Sequence, residues 1–141
     1  MKKIILFSIA IIVFSCKTNN NEISDKKISD KKIKVFLNNG EELYLKTNIH
    51  GIAGNHEQII MSNDSQSVFD KNKDYVFYSS EIYYKTTTDS IIIYAPECCF
   101  LEPENKVLKS VVSIIGLKNA DEIDEFEKKY KRYNLKRLSV Y

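Results

Sequence analysis

Apolar and polar residues alternate along much of the chain beyond residue 33, which is typical of β-strands with one buried face. The clearest alternation covers residues 42–49, where Leu43 is predicted to face the core and Lys46 to face solvent. Asn39-Gly40 precedes this strand and predicts a type I′ hairpin turn. The full set of predicted strands is 34–37, 42–49, 58–62, 75–79, 82–87, 90–95, 107–117 (with a bend at Gly116) and 135–140.

One helix is predicted over residues 120–133. Asn119 can cap it, and Glu122 lies three residues further on, as in a capping box. Its apolar stripe consists of Ile123, Phe126, Tyr130 and Tyr133. Strand, helix and final strand follow one another with short links, so they could form a right-handed parallel crossover. The expected fold is α+β: a largely antiparallel sheet of about seven or eight strands with one C-terminal helix packed on it.

The first residues have a different pattern. Met1-Lys2-Lys3 is positively charged, and residues 4–14 form a small or apolar run interrupted by Ser8. A run of this length is too short for the roughly 20 residues that cross a bilayer, but it matches the apolar region of a secretory signal. The run ends at Val13-Phe14-Ser15-Cys16, which resembles the lipobox of bacterial lipoproteins.

This resemblance implies a lipid anchor and an exported protein. Residues 1–15 would be removed as a signal peptide, and Cys16 would carry a diacylglyceryl group and a further acyl chain such as palmitate. Residues 16–32 are polar, repeat Ile-Ser-Asp-Lys-Lys, and are expected to form a flexible tether. Residues 33–141 would then form a single β-rich globular domain attached to a membrane of the bacterial cell envelope, and we expect the outer membrane.

The charge balance argues against a nucleic-acid partner. The chain has 21 basic and 19 acidic residues, and without Lys2 and Lys3 the two signs balance. Only Arg132 and Arg137 are arginines. A neutral domain with few arginines lacks the basic surface that binds phosphate backbones. The partners expected instead are the membrane, through the lipid on Cys16, and a protein or polymer of the envelope.

Both histidines of the chain lie in one short glycine-containing stretch, which makes it a candidate metal site. A sharp bend between them could bring His50, His56 and the Glu57 carboxylate together as three ligands for zinc or copper, with an open position as in hydrolytic zinc sites. The spacing does not match the HExxH motif. The alternative is a glycine turn in which the His56 side chain ties down backbone groups. The stretch 50–62 is also loosely similar to small uncharacterised lipoproteins of Bacteroidota-type bacteria.

Cys98 and Cys99 are the cysteines that remain once Cys16 is lipidated. Three alternatives are open for them: a vicinal disulfide, two partly buried thiols, or soft ligands for copper or zinc together with His50 or His56. The neighbouring acidic residues disfavour a reactive thiolate.

These observations favour a membrane-anchored, non-enzymatic binding or structural module, although the question of catalysis stays open. The alternative is a small metal-binding or hydrolytic envelope domain that uses the His50–Glu57 loop. Tyrosines cluster in neighbouring predicted strands, where they are either ordinary strand residues or an exposed row that binds a peptide or sugar.

Overall fold

The computed structural model describes residues 31–50, 56–66 and 69–141, which form nine strands and one helix. The proposed signal, Cys16 and most of the tether lie outside the described residues. No helix within the described ranges is long and apolar enough to cross a membrane. The elements are β1 Lys32–Phe36, β2 Glu42–His50, β3 His56–Ser62, β4 Tyr75–Phe77, β5 Glu81–Thr86, β6 Ser90–Pro96, β7 Phe100–Leu101, β8 Val111–Leu117, α1 Ala120–Lys129 and β9 Lys136–Ser139.

The strands divide into two sheets. Sheet 1 has the order β1-β2-β3-β4-β7 and is antiparallel throughout, whereas sheet 2 has the order β8-β6-β5-β9 and contains the parallel pair β6 and β8. The predicted β-rich α+β class is confirmed, but the strand count of seven or eight is not. The additional strand, β7, has only two residues and is too short to show an alternating pattern.

The inner faces of the two sheets form one hydrophobic core. The core face predicted for β2 is confirmed here, because Leu43 and Leu45 are fully buried. Burial of each such side chain contributes about 1.5–3 kcal/mol to folding. Other core residues are Val35, Ile59, Met61 and Phe77 from sheet 1, and Ile82, Tyr84, Ile91, Ile93 and Leu138 from sheet 2.

Part of the outer face of sheet 1 is buried, whereas alternation predicts that the whole face is exposed to solvent. Lys46, Ile60 and Val76 are all buried there. The segment that follows β3 approaches this face, since Lys46 Nζ donates hydrogen bonds to the backbone carbonyl oxygens of Asp64, at 3.2 Å, and Gln66. Alternation identifies the two faces of a strand, but it does not show which loop will later cover one of them.

The hairpin between β1 and β2 differs from the predicted type I′ turn. Gly40 has a φ of 82°, but Asn39 does not have a positive φ. Gly40 N donates to Leu37 O at 3.0 Å, and Leu37 N donates to Glu41 O at 3.0 Å. This pattern fits a three-residue loop, in which a tight turn is followed by a left-handed glycine. Asn39 is used differently: its Nδ2 donates to Ser110 Oγ at 2.8 Å.

The Glu41 carboxylate fastens this hairpin to the segment before β8. It accepts hydrogen bonds from Lys109 N at 2.9 Å, from Ser110 N at 2.7 Å and from the Ser110 hydroxyl. Burial disfavours the charged carboxylate, but the hydrogen bonds from Ser110 and Lys109 outweigh burial and lower the pKa of Glu41 below its ordinary value of 4.5. The ionised form therefore stabilises the fold.

Glu41→Gln is expected to lower the free energy of unfolding by about 1–2 kcal/mol at neutral pH, because hydrogen bonds to a charged acceptor are lost. Since folding lowers this pKa, the stabilisation is present above pH 4.5 and disappears as the pH falls through the folded-state pKa. Urea unfolding at pH 7 and pH 3 measures both differences. Glu104→Gln, at an exposed carboxylate, is the control and should change stability little at either pH. A Glu41 effect of equal size at both pH values would contradict the ionised contact.

Strand β8 is shorter than predicted. It begins at Val111 rather than at residue 107, and Gly116 lies within it, opposite Ala95, rather than at a bend. A Cβ on Gly116 would lie 2.8 Å from the Cβ of Glu97. The glycine is therefore explained by a close approach of two chain segments.

Helix α1 begins as predicted and ends earlier. Asn119 Oδ1 accepts from Glu122 N at 2.9 Å, whereas Glu122 Oε2 accepts from Lys118 N at 2.8 Å, one residue before the cap. The helix ends at Lys129, with Tyr130 as its C-cap, and the turn that follows closes at Asn134, which adopts a left-handed φ of 54°. Leu135 N then donates to Tyr130 O at 2.9 Å, which is the bond of a Schellman C-cap.

The connection through α1 joins two strands that run in the same direction. Strand β6 is parallel to β8 and antiparallel to β5, and β5 is antiparallel to β9, so β8 and β9 are parallel with β6 and β5 between them. The helix lies against the outer face of sheet 2, where the Phe126 ring contacts Tyr83 and Tyr94. No residue of the helix is fully buried. The helix therefore covers this face only in part.

Candidate functional site

The hairpin of β2 and β3 brings the two histidines together. His50 is the last residue of β2, His56 is the first of β3, and the two are directly opposite in the antiparallel register. Their ring centroids are 5.5 Å apart, with planes inclined by 22°, and both residues are exposed. The intervening residues 51–55 lie outside the described part of the chain.

Glu57 does not join the histidine pair. It is the next residue along β3 and is paired with Ile49, so strand alternation turns its side chain to the opposite face from His56. The three-ligand arrangement predicted from the sequence is therefore not assembled. Across residues 31–50, 56–66 and 69–141, no group of three or more histidine, cysteine, aspartate or glutamate side chains is placed to hold a metal ion.

Cys98 and Cys99 are joined as a vicinal disulfide in the turn between β6 and β7. Cys99 N donates to Pro96 O at 3.1 Å, and Cys99 O accepts from Tyr78 N at 2.8 Å, so the turn is tied to the residue that follows β4. Of the three alternatives considered for this pair (a vicinal disulfide, two thiols, or metal ligands), the structure has the disulfide, which leaves no free thiol. In this form the pair is not available as a thiolate ligand. Cys16 lies outside the described residues.

A groove between α1 and sheet 2 was not predicted as a site. It has a volume of about 340 Å³ and is lined by Lys85, Tyr94, Phe126, Tyr133 and Leu135. The Phe126 ring is central, with its centroid 4.9 Å from that of Tyr94 and 5.7 Å from that of Tyr133. Tyr133 is 43% exposed and stands at the rim. The lining is thus aromatic with one cationic side chain.

A polar network supports the floor beside this groove. The Tyr83 ring packs against Phe126, and the Tyr83 hydroxyl donates a hydrogen bond to Glu81 Oε1 at 2.6 Å. Arg137 Nε donates to Glu81 Oε2 at 2.7 Å. Burial, followed by the hydrogen bond to Glu81, raises the pKa of Tyr83 above its ordinary value. Tyr83 therefore remains a neutral hydrogen-bond donor, and its ring packs between sheet 2 and Phe126 of α1.

The sequence contained part of the signal for this groove. Phe126 and Tyr133 belong to the predicted helical stripe, and Tyr94 belongs to the predicted strand 90–95, which is apolar on both faces. Lys85 carries no motif and is not distinguishable from other strand lysines. The groove arises because the β8–α1–β9 crossover places the helix over strands far away in sequence, and local patterns do not report that placement.

Comparisons of the chain with protein-family models, with curated proteins and with solved structures find no match.

Proposed function

We propose that the protein is a lipid-anchored module of the bacterial cell envelope that binds a protein partner through the groove beside α1, without catalysing a reaction. The single observation that carries the binding part is the aromatic groove of about 340 Å³. Ligand sites in proteins are usually concave and mostly apolar, with a few polar groups, and begin at about 300 Å³. The anchor is supported by the lipobox-like residues that end at Cys16.

The chemistry of the lining favours a protein segment with one apolar side chain next to a carboxylate. Tyr94, Phe126 and Tyr133 can enclose an apolar anchor, as aromatic pockets do at the energetic centre of protein interfaces. Lys85 supplies the positive charge that a nearby carboxylate would meet. Further basic residues follow along the end of α1 and the turn after it: Lys128, Lys129, Lys131 and Arg132.

The lipid anchor and the tether would set the distance from the membrane at which the groove can meet a partner. Lys31 and Lys32 are already joined to sheet 1, so the predicted tether is shortened to residues 16–30. A flexible chain extends by about 5–6 Å times the square root of its length, which gives roughly 20 Å on average for such a tether. This distance lifts the domain above the lipid headgroups and keeps it close to the membrane. We expect the outer membrane and a partner exposed to the same compartment.

The test is photo-crosslinking in the native membrane, with a photoreactive amino acid in place of Tyr133 in the full chain. We expect one discrete protein adduct. Lys85→Glu should lower its yield about tenfold, because an opposed charge at an interface costs affinity. The matched control places the same amino acid at Phe36, which is 66% exposed on sheet 1.

Three results would overturn the proposal. The first is the same adduct when the photoreactive amino acid replaces Phe36, which would show that the partner does not bind specifically at the groove. The second is an adduct that persists undiminished in the Lys85→Glu variant. The third is an adduct with a glycan in place of a protein, which would assign the groove to an envelope polymer.

The alternative of a metal-binding or hydrolytic domain is favoured by one observation, the contact of His50 with His56. Its hydrolytic form needed Glu57 beside them, and Glu57 faces the other side of the strand. What the geometry favours is metal binding by the two imidazoles alone, with zinc or copper as the ion.

A further inference from the structure

We propose that His50 and His56 form a two-imidazole chelate for a divalent transition-metal ion, with copper(II) bound most tightly. The site lies at the end of the β2–β3 hairpin and shares no residue with the groove beside α1. It therefore goes beyond the proposed partner-binding function, and either can fail without the other.

The spacing of the rings is close to what one ion requires. Metal–nitrogen bonds of about 2.0–2.1 Å place two imidazoles with ring centroids roughly 4.5 Å apart at adjacent positions of a square-planar ion, such as copper(II), and roughly 5 Å apart on a tetrahedral ion. The observed separation is 5.5 Å. Because both rings are exposed, rotation about their side-chain bonds can turn one nitrogen of each ring toward a common point.

The backbone holds the two residues in place before any ion arrives. His50 and His56 are direct cross-strand partners, and the next pairs, Ile49 with Glu57 and Asn48 with Gln58, continue the antiparallel ladder. Directly opposed residues have Cβ atoms only about 4.5–5.5 Å apart. The chelate therefore needs no rearrangement of the strands, and little ordering entropy is lost on binding.

The donor set determines the class of ion. Neutral imidazole suits copper, nickel and zinc, and affinity among divalent ions is greatest for copper. Hard ions such as magnesium and calcium require oxygen ligands and should not compete. Two protein ligands leave other coordination positions of the ion open to water or to a group from another molecule.

The test is titration of the full, membrane-extracted chain with copper(II) in a glycine buffer that competes for weak sites. We expect one ion per chain, and electron paramagnetic resonance should show two coupled imidazole nitrogens. His50→Ala or His56→Ala should each weaken binding by at least about tenfold, because a chelate becomes a single ligand. Zinc should bind at the same site more weakly.

Glu57→Gln is the matched control, since Glu57 adjoins His56 in sequence but faces the other side of the strand. It should leave the copper affinity unchanged. No stoichiometric binding under competition, binding that survives loss of either histidine, or a spectrum with fewer than two imidazole nitrogens would overturn the proposal. A loss in Glu57→Gln as large as in the histidine variants would overturn the two-ligand geometry. The nitrogen count comes from the unaltered chain, so the test does not depend on how a variant folds.

Discussion

Cys16→Ser is expected to abolish all incorporation of labelled palmitate into the protein and to leave residues 1–15 attached. A serine hydroxyl does not replace the thiolate that would accept the diacylglyceryl group, and lipoprotein signal removal requires the modified cysteine. The effect is all-or-none, because the acyl chains would all be carried by one residue. Each methylene buried in the bilayer contributes about 0.8 kcal/mol, so two or three chains hold a domain that a single chain would bind only reversibly.

The matched control changes the other two cysteines. Cys98→Ser with Cys99→Ser removes the vicinal disulfide and should leave the palmitate label in place. Metabolic labelling followed by gel fluorography of the whole cell envelope measures both variants. A label that persists in Cys16→Ser, or disappears only in the Cys98, Cys99 variant, would contradict the lipobox assignment.

The second large effect is expected at Lys46, whose side chain is buried on the outer face of sheet 1. Lys46 is 4% exposed, and its Nζ donates to the backbone carbonyls of Asp64 and Gln66. Burial lowers the pKa of Lys46, whereas the carboxylate of Asp74 raises it and favours the ammonium form. Asp74 is 2% exposed, and its Oδ1 has no hydrogen-bond partner among the described residues.

Lys46→Met is expected to lower the free energy of unfolding by about 1–3 kcal/mol, because the backbone carbonyl oxygens of Asp64 and Gln66 lose their charged donor. Urea unfolding of the intact chain measures the change. Lys34→Met is the matched control: Lys34 pairs with Glu42 at 2.8 Å on the same sheet, but both side chains are exposed. Exposed ion pairs contribute little to stability, so this variant should stay close to the wild type.

A double-mutant cycle separates the charge interaction from simple loss of packing. The variant with both Lys46→Met and Asp74→Asn should be more stable than the sum of the single effects predicts, by about 0.5–1 kcal/mol, since the two charges are near each other but not paired. Strict additivity would show that Asp74 and Lys46 do not interact. A Lys46 effect no larger than that of Lys34 would show that the buried ammonium is not required.

The sequence predicted those features of the fold that depend on neighbouring residues. The β5–β6 hairpin around Thr88-Asp89 and the Asn119 cap of α1 follow from turn and capping chemistry, which operates over a few residues. The core face of β2 follows from alternation. These predictions needed no knowledge of what packs against each element.

The error at Lys46 and the unpredicted groove beside α1 have a common physical cause, which is contact between distant segments, whereas the error at Glu57 is local. Lys46 was predicted to face solvent because of its position in the strand, but in the structure the segment after β3 covers it. Glu57 looked like a third metal ligand because it adjoins His56, yet a strand sends adjacent side chains to opposite faces. The aromatic groove depends on where the crossover helix lies. Sequence proximity and spatial proximity differ most at such places.

The measurement that tests the central claim most directly is the intact mass of the protein extracted gently from its own membrane. The proposal of a lipid-anchored module predicts a chain that begins at Cys16 and carries the added mass of a diacylglyceryl group and an acyl chain. A chain that still begins at Met1, or that begins at Cys16 without added lipid, would contradict it.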